Sequence, residues 1–141
     1  MLRVAHILCL LFFLSELNAQ TLPVRSFEGI NTDTIGAASK TENLYNVPLY
    51  SDSLASSFCI VIKKEVKAHK HVYHSEHIIV QQGEGIMKLG ERTFPIKKGD
   101  VIFIPKNQIH SVKTTGKTPL KVISIQAPLF DGKDRVMTEE K

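Results

Sequence analysis

Beyond the first twenty residues, apolar positions come in short runs broken by turn residues about every 8–12 positions or less. No segment sustains a 3.6-residue apolar period with helix caps. The runs predict strands at Leu44–Tyr50, Phe58–Val66, Glu76–Gln82, Ile86–Leu89, Thr93–Ile96, Val101–Ile104, His110–Lys113 and Leu120–Gln126. Between them stand Gly83-Glu84-Gly85, Gly90-Glu91, Lys97-Lys98-Gly99-Asp100, Pro105-Lys106-Asn107-Gln108 and Thr115-Gly116-Lys117, all turn chemistry. Pro48 interrupts the first run. This pattern predicts an all-β antiparallel sandwich or barrel over residues 43–130. Residues 20–42 are polar, with Gly29, Asn31, Gly36 and Ser39, and read as an N-terminal arm. Residues 131–141 are charged and read as a loosely held tail.

The N-terminus follows a different pattern. Arg3 precedes an apolar stretch from Val4 to Leu14, and Leu17-Asn18-Ala19 puts a small residue at a cleavage position. This is the three-part pattern of a secretory signal over residues 1–19, and it predicts a secreted or periplasmic protein. The run is shorter than the ~20 residues of a spanning helix, so no stable membrane span is expected. Cleavage after Ala19 also removes Cys9 and leaves Cys59 as the single cysteine, so no internal disulfide can form. Cys59 lies within the apolar run FCIVI and reads as a buried, inert thiol.

Composition narrows the classes further. The 141 residues are 43% apolar and 23% charged, ordinary globular values that exclude a disordered or collagen-like chain. The net charge is +4, too modest and too dispersed for a nucleic-acid signature, and there is no Trp to supply a base-stacking platform. The lysines at strand ends and turns read as a solvated surface that protects sheet edges. They also offer a positive rim for an anionic small molecule.

The histidines are concentrated. Apart from His6, they are His69, His71, His74, His77 and His110, and four of these fall within nine residues. Residues two apart on a strand share a face, and at a rise of ~3.3 Å per residue the Cα atoms of His69 and His71 lie ~7 Å apart. Two imidazoles at that spacing can close on one ion. Val72–Ser75 reads as a turn, after which Glu76 can bring a carboxylate across from them. His77 has the opposite parity and reads as a surface or sheet-packing residue, and His74 as a solvated turn residue, with contact to substrate or replacement of a ligand as the alternative. Two neutral imidazoles and a carboxylate suit a divalent first-row metal. Ile78 and Val80 share parity with Glu76, and Val112 shares it with His110, an apolar lining that is equally an ordinary core. Tyr73 and Gln126 are candidate polar contacts.

With a second stretch added, Gly99–His110, which reads as a turn, an apolar strand, a second turn and then one His at the start of a strand, the chain resembles the cupin superfamily. That family's first motif is commonly Gly-x5-His-x-His-x3–4-Glu-x6-Gly, and here His69, His71, Glu76 and Gly83 match from the first His onward. The second is commonly Gly-x5-Pro-x-Gly-x2-His-x3-Asn, and here Gly99, Pro105 and His110 match in spacing. Lys63 stands in place of the first Gly, Asn107 in place of the Gly after the Pro, and Thr114 in place of the final Asn. Asn tolerates positive φ, so the turn at 107 is expected to survive.

The resemblance covers about Phe58 to Gln126. It implies a jelly roll, also called a double-stranded β-helix, with His69, His71, Glu76 and His110 as ligands of a divalent transition metal (Fe, Mn, Ni or Zn), and a homodimer. Four ligands on a six-coordinate ion leave two positions open; on tetrahedral zinc they close the site. The expected function is a metal-dependent oxygenase (a dioxygenase, for example), isomerase or lyase acting on a small polar molecule. The alternative is a non-catalytic module that binds a sugar or another small molecule.

Overall fold

The computed structural model describes residues 28–36 and 39–138, so the predicted signal at 1–19 lies outside the described residues. Ten strands form two five-stranded antiparallel sheets. They are β1 (Leu44–Ser51), β2 (Ser56–Ile62), β3 (Glu65–His71), β4 (Ser75–Gln82), β5 (Glu84–Leu89), β6 (Arg92–Lys97), β7 (Val101–Ile104), β8 (His110–Thr114), β9 (Leu120–Ala127) and β10 (Arg135–Met137). One sheet runs β1-β2-β9-β4-β7 and the other β10-β3-β8-β5-β6. This is the predicted all-β jelly roll. Among the described residues no helix is long and apolar enough to cross a membrane.

Period-2 patterning explains the layering. In β4 the side chains of Glu76, Ile78 and Val80 are buried while His77 is exposed. Ile62, Ile78, Val80, Met87, Ile96, Ile102, Ile104, Leu120 and Val122 fill the space between the sheets. Burying such side chains contributes about 1.5–3 kcal/mol each. Pro48 sits on β1 and Pro95 on β6, both edge strands, where a missing N–H costs no ladder bond. Gly83 is required by close approach as well as by its φ of +78°. A Cβ there would stand 2.6 Å from the Pro119 carbonyl oxygen.

Three expectations change. The run Phe58–Val66 is two strands, because the chain turns at Lys63-Lys64. The segment from Asp131 is no loose tail: Arg135, Val136 and Met137 pair with His71, Lys70 and His69 of β3. Asp134 is buried at the start of that pairing. The polar arm, in its described part, is held on the barrel. It makes a short 3-10 turn at Thr32–Thr34. The buried Lys121 donates from Nζ to the Thr32 and Asp33 carbonyls at 2.9 and 3.2 Å. Cys59 is buried and free, and burial pushes its thiol pKa up.

Candidate metal centre

The four predicted ligands meet between the two sheets. His69 and His71 come from β3 and His110 from β8, while Glu76 comes from β4 of the facing sheet. All four are buried, with 3–5% exposure. One ligand nitrogen each from His69, His71 and His110 lie within 4.8 Å of one another. Glu76 Oε2 lies 3.6 Å from His71 Nε2 and 3.4 Å from His110 Nε2.

Backbone irregularity makes this convergence possible. Strict alternation would put Val66 and His69 on opposite faces. The β3–β8 pairing instead shifts register between Val66 and His69, so both line one cavity. An extra residue in one strand re-aims the side chains beyond it. After the shift His69 stands directly across from His110.

Each imidazole is oriented by a main-chain carbonyl. His69 Nδ1 lies 2.8 Å from the Lys67 oxygen, His110 Nδ1 lies 3.0 Å from that of Gln108, and His71 Nδ1 lies 3.3 Å from that of Asp134. A carbonyl only accepts, so each Nδ1 carries the proton and each Nε2 is left as a lone pair facing inward. Glu76 is held in the same way. Ser124 donates its hydroxyl to Oε1, and Gln126 Nε2 donates to the same oxygen at 3.3 Å, leaving Oε2 toward the imidazoles.

The result is an interior lined by acceptors. Burial pushes Glu76 upward, but the close approach of His110 and His71 and the Ser124 hydroxyl outweigh it and hold the carboxyl well below its usual range. Donation from His110 or His71 requires a second proton on an imidazole whose Nδ1–H is already engaged. A cation at the centre removes that need, and His71 Nε2 has no hydrogen-bond partner. The donor set of three imidazoles and one carboxylate therefore fits a divalent first-row metal.

Beside this cluster lies a second one that the sequence pattern does not reveal. His74 is only 1% exposed, so it is not a solvated turn residue. Its Nδ1 lies 2.7 Å from Asp134 Oδ2, and its ring packs on His71 with centroids 4.3 Å apart. The Asp134 carboxylate also accepts the backbone N–H groups of Val72, Tyr73 and His74 at 2.8, 2.8 and 3.1 Å. Burial pushes Asp134 upward, yet these backbone donors hold it below the ordinary range. His71, His74 and Asp134 together also form a group of ligand-type atoms. No local signal marks this cluster: Asp134 lies about sixty positions along the chain from the turn it caps.

The cavity in front of the ligands holds about 120 Å³. Its apolar wall includes Ile78, Met87, Val112 and Phe130, and its polar wall includes Gln126, Ser111 and Arg135. Ile78 and Val112 are placed as expected, whereas Val80 belongs to the core behind. Gln126 is at the site, while Tyr73 is 72% exposed and does not line the cavity. His77 faces outward and packs against Phe103, with ring centroids 4.8 Å apart.

Comparison with known proteins agrees with this fold. The family model described as Cupin domain matches residues 58–126. The chain is 33% identical over 87 residues to an uncharacterised protein of Methanocaldococcus jannaschii, covering 62% of this chain and 69% of that one. It is 36% identical over 85 residues to a mannose-1-phosphate guanylyltransferase of Salmonella typhimurium. That match covers 59% of this chain but spans only 18% of the enzyme's length. Among solved structures, a protein with a double-stranded β-helix domain from Klebsiella pneumoniae superposes with a TM-score of 0.67 at 18% identity, over 79% of this chain and 96% of that one.

Proposed function

The chain belongs to the cupin superfamily, and from that premise we propose that it is an exported, metal-dependent cupin acting on a small polar molecule. His69, His71, Glu76 and His110 are the ligands of one divalent transition metal ion. The observation that carries this is the meeting of His71 Nε2, His110 Nε2 and Glu76 Oε2 beside a ligand nitrogen of His69, with no hydrogen-bond partner for His71 Nε2 among the described residues. A divalent ion held by these four side chains would supply Lewis-acid or redox chemistry if it keeps room for a further ligand, and a purely structural role if it does not.

The chain's own residues do the rest. The Lys67, Gln108 and Asp134 carbonyls fix the imidazole tautomers, and Ser124 and Gln126 aim the carboxylate. Ile78, Met87, Val112 and Phe130 exclude bulk water from the pocket. The reaction class in this reading is oxygenation, isomerisation or elimination.

A second reading is a non-catalytic binding module. It is favoured by one observation: among the described residues that line the cavity, Arg135 is the single ionisable group outside the four ligands. No separate acid or base stands by. Export, by the signal at residues 1–19, and self-association belong to the same proposal. For the latter, Val101 and Phe103 on edge strand β7 are 65% and 51% exposed, an apolar edge that suits a second copy.

Elemental analysis of protein produced with each metal supplied should give one ion per chain, lost in His110→Ala. Absence of stoichiometric metal under every supply refutes the reading. Turnover on a panel of diols, uronates and small carboxylates then separates enzyme from binder, since a binder retains ligand and yields no product. The mature N-terminus of the exported protein tests cleavage after Ala19, and light scattering in solution tests the dimer.

A further inference from the structure

Arg135 sits on β10 directly across from His71 and lines the cavity, while its outer part remains exposed to solvent. No carboxylate among the described residues forms an ion pair with its guanidinium. Nor is it on a swinging tail. The neighbouring Asp134 is pinned by three backbone N–H groups and by His74, so the guanidinium is presented at the rim of the pocket.

Gln126 adds an independent requirement. Its Nε2 faces Glu76 Oε1 and Ser124 Oγ, both at 3.3 Å. An ionised carboxylate can only accept, so the amide orientation is dictated. Its Oε1 is then a buried acceptor with no partner, on a residue of the cavity wall. Such an atom calls for a donor. A volume of about 120 Å³ leaves room for only a few heavy atoms.

We propose that the cavity binds a short-chain hydroxycarboxylate of the size of glycolate or lactate, with its carboxylate on Arg135 and its hydroxyl donating to Gln126 Oε1. This deepens the reading above by naming a ligand class, and rests on it for the metal that shares the pocket. Arg suits the carboxylate because its planar fork can make two parallel charge-assisted bonds. The anion is drawn to a rim that the metal's own charge makes more positive.

The test uses the metal-loaded full chain, with metal content and ligand affinity measured separately. Titration calorimetry is run with glycolate, with methoxyacetate, which keeps both oxygen positions but has no hydroxyl hydrogen, and with ethylene glycol, which has no carboxylate. Glycolate is expected to bind at least tenfold tighter than either analogue. Arg135→Gln should keep one ion per chain and an unchanged melting temperature, yet bind glycolate at least tenfold more weakly; Arg135→Lys should fall between. The wild-type affinity should weaken with added salt. Equal glycolate binding by wild type and Arg135→Gln overturns the proposal. So does methoxyacetate binding as tightly as glycolate, or loaded wild type that binds no glycolate. In those cases the metal reading stands. A wild-type chain that takes up no metal refutes that reading, and this one with it.

Discussion

His69 and His110 stand directly across from each other on β3 and β8, their ring centroids 4.1 Å apart and their planes tilted by 53°. Burial, followed by the neighbouring His110 and Arg135, pushes His69 from 6.5 down to about 3.

That shift sets a pH dependence for the metal-free fold. The unfolded chain takes up the His69 proton near 6.5, and the folded chain does not until about 3. Stability therefore falls as pH drops through that window, by up to about 1.4 kcal/mol per pH unit. Glu76, held low in the fold, adds a loss in the same direction below its ordinary 4.5. Thermal unfolding in chelator should show a melting temperature that declines from neutral pH downward, and His69→Asn should flatten the upper part of the decline. A curve independent of pH above 4.5 contradicts the assignment.

Ser124→Ala tests the support of the carboxylate. The Ser124 hydroxyl is the closer of two donors to Glu76 Oε1, and without it the group can rotate away from the imidazoles. Metal affinity should drop about 10–100-fold, as when other partners of metal ligands are removed. Competition with a coloured chelator reads the change; unaltered affinity rules out that role for Ser124.

Asp134→Ala should damage both stability and metal binding. It strips the acceptor from three backbone N–H groups and from His74, at a cost of about 2–4 kcal/mol. It also loosens the segment whose carbonyl orients His71, so the metal-induced rise in melting temperature should shrink along with the baseline. A variant that melts lower but gains as much from metal as the wild type would assign Asp134 to the fold alone.

Asn107 adopts φ +62°, and its N–H donates to the His71 carbonyl at 2.6 Å. Asn107→Gly should be within about 1 kcal/mol of wild type, whereas Asn107→Ile should cost about 1–2 kcal/mol or more from backbone strain. Chemical denaturation of both variants decides it, and equal midpoints would refute the turn assignment.

The candidate ligand cluster was legible because strand parity is a short-range rule and His69, His71 and Glu76 lie on consecutive strands joined by a short turn. The β-bulge before His69 was not, since nothing in Glu65–Ala68 distinguishes an added residue from strict alternation. β10 was hidden for a different reason. Its residues carry no apolar alternation, and all three are exposed, so its place depends on a partner strand and on the capping by Asp134. The burial of His74 depends on the same distant contact.

The departures from the family motif have local explanations. Lys63, in place of Gly, reaches back from Nζ to the Ser39 and Thr41 carbonyls at 3.0 and 2.6 Å and ties down the arm. Thr114, in place of Asn, donates its hydroxyl to the Ile62 carbonyl at 2.9 Å and keeps the turn between β2 and β3 closed. Neither touches the ligands, so the sequence can vary there while the centre is retained.

The carbonyl that orients His71 belongs to a residue 63 positions further along the chain. During synthesis the strand carrying the first two imidazoles emerges long before that partner does. Until Arg135 has cleared the ribosome, one flank of the pocket is unbuilt, and an ion entering early meets ligands free to rotate. In the proposed function, loading is thus a late event in the life of the polypeptide. Were the proposed signal at residues 1–19 to export the chain unfolded, loading would fall on the far side of the membrane, where the local supply of ions would select the occupant.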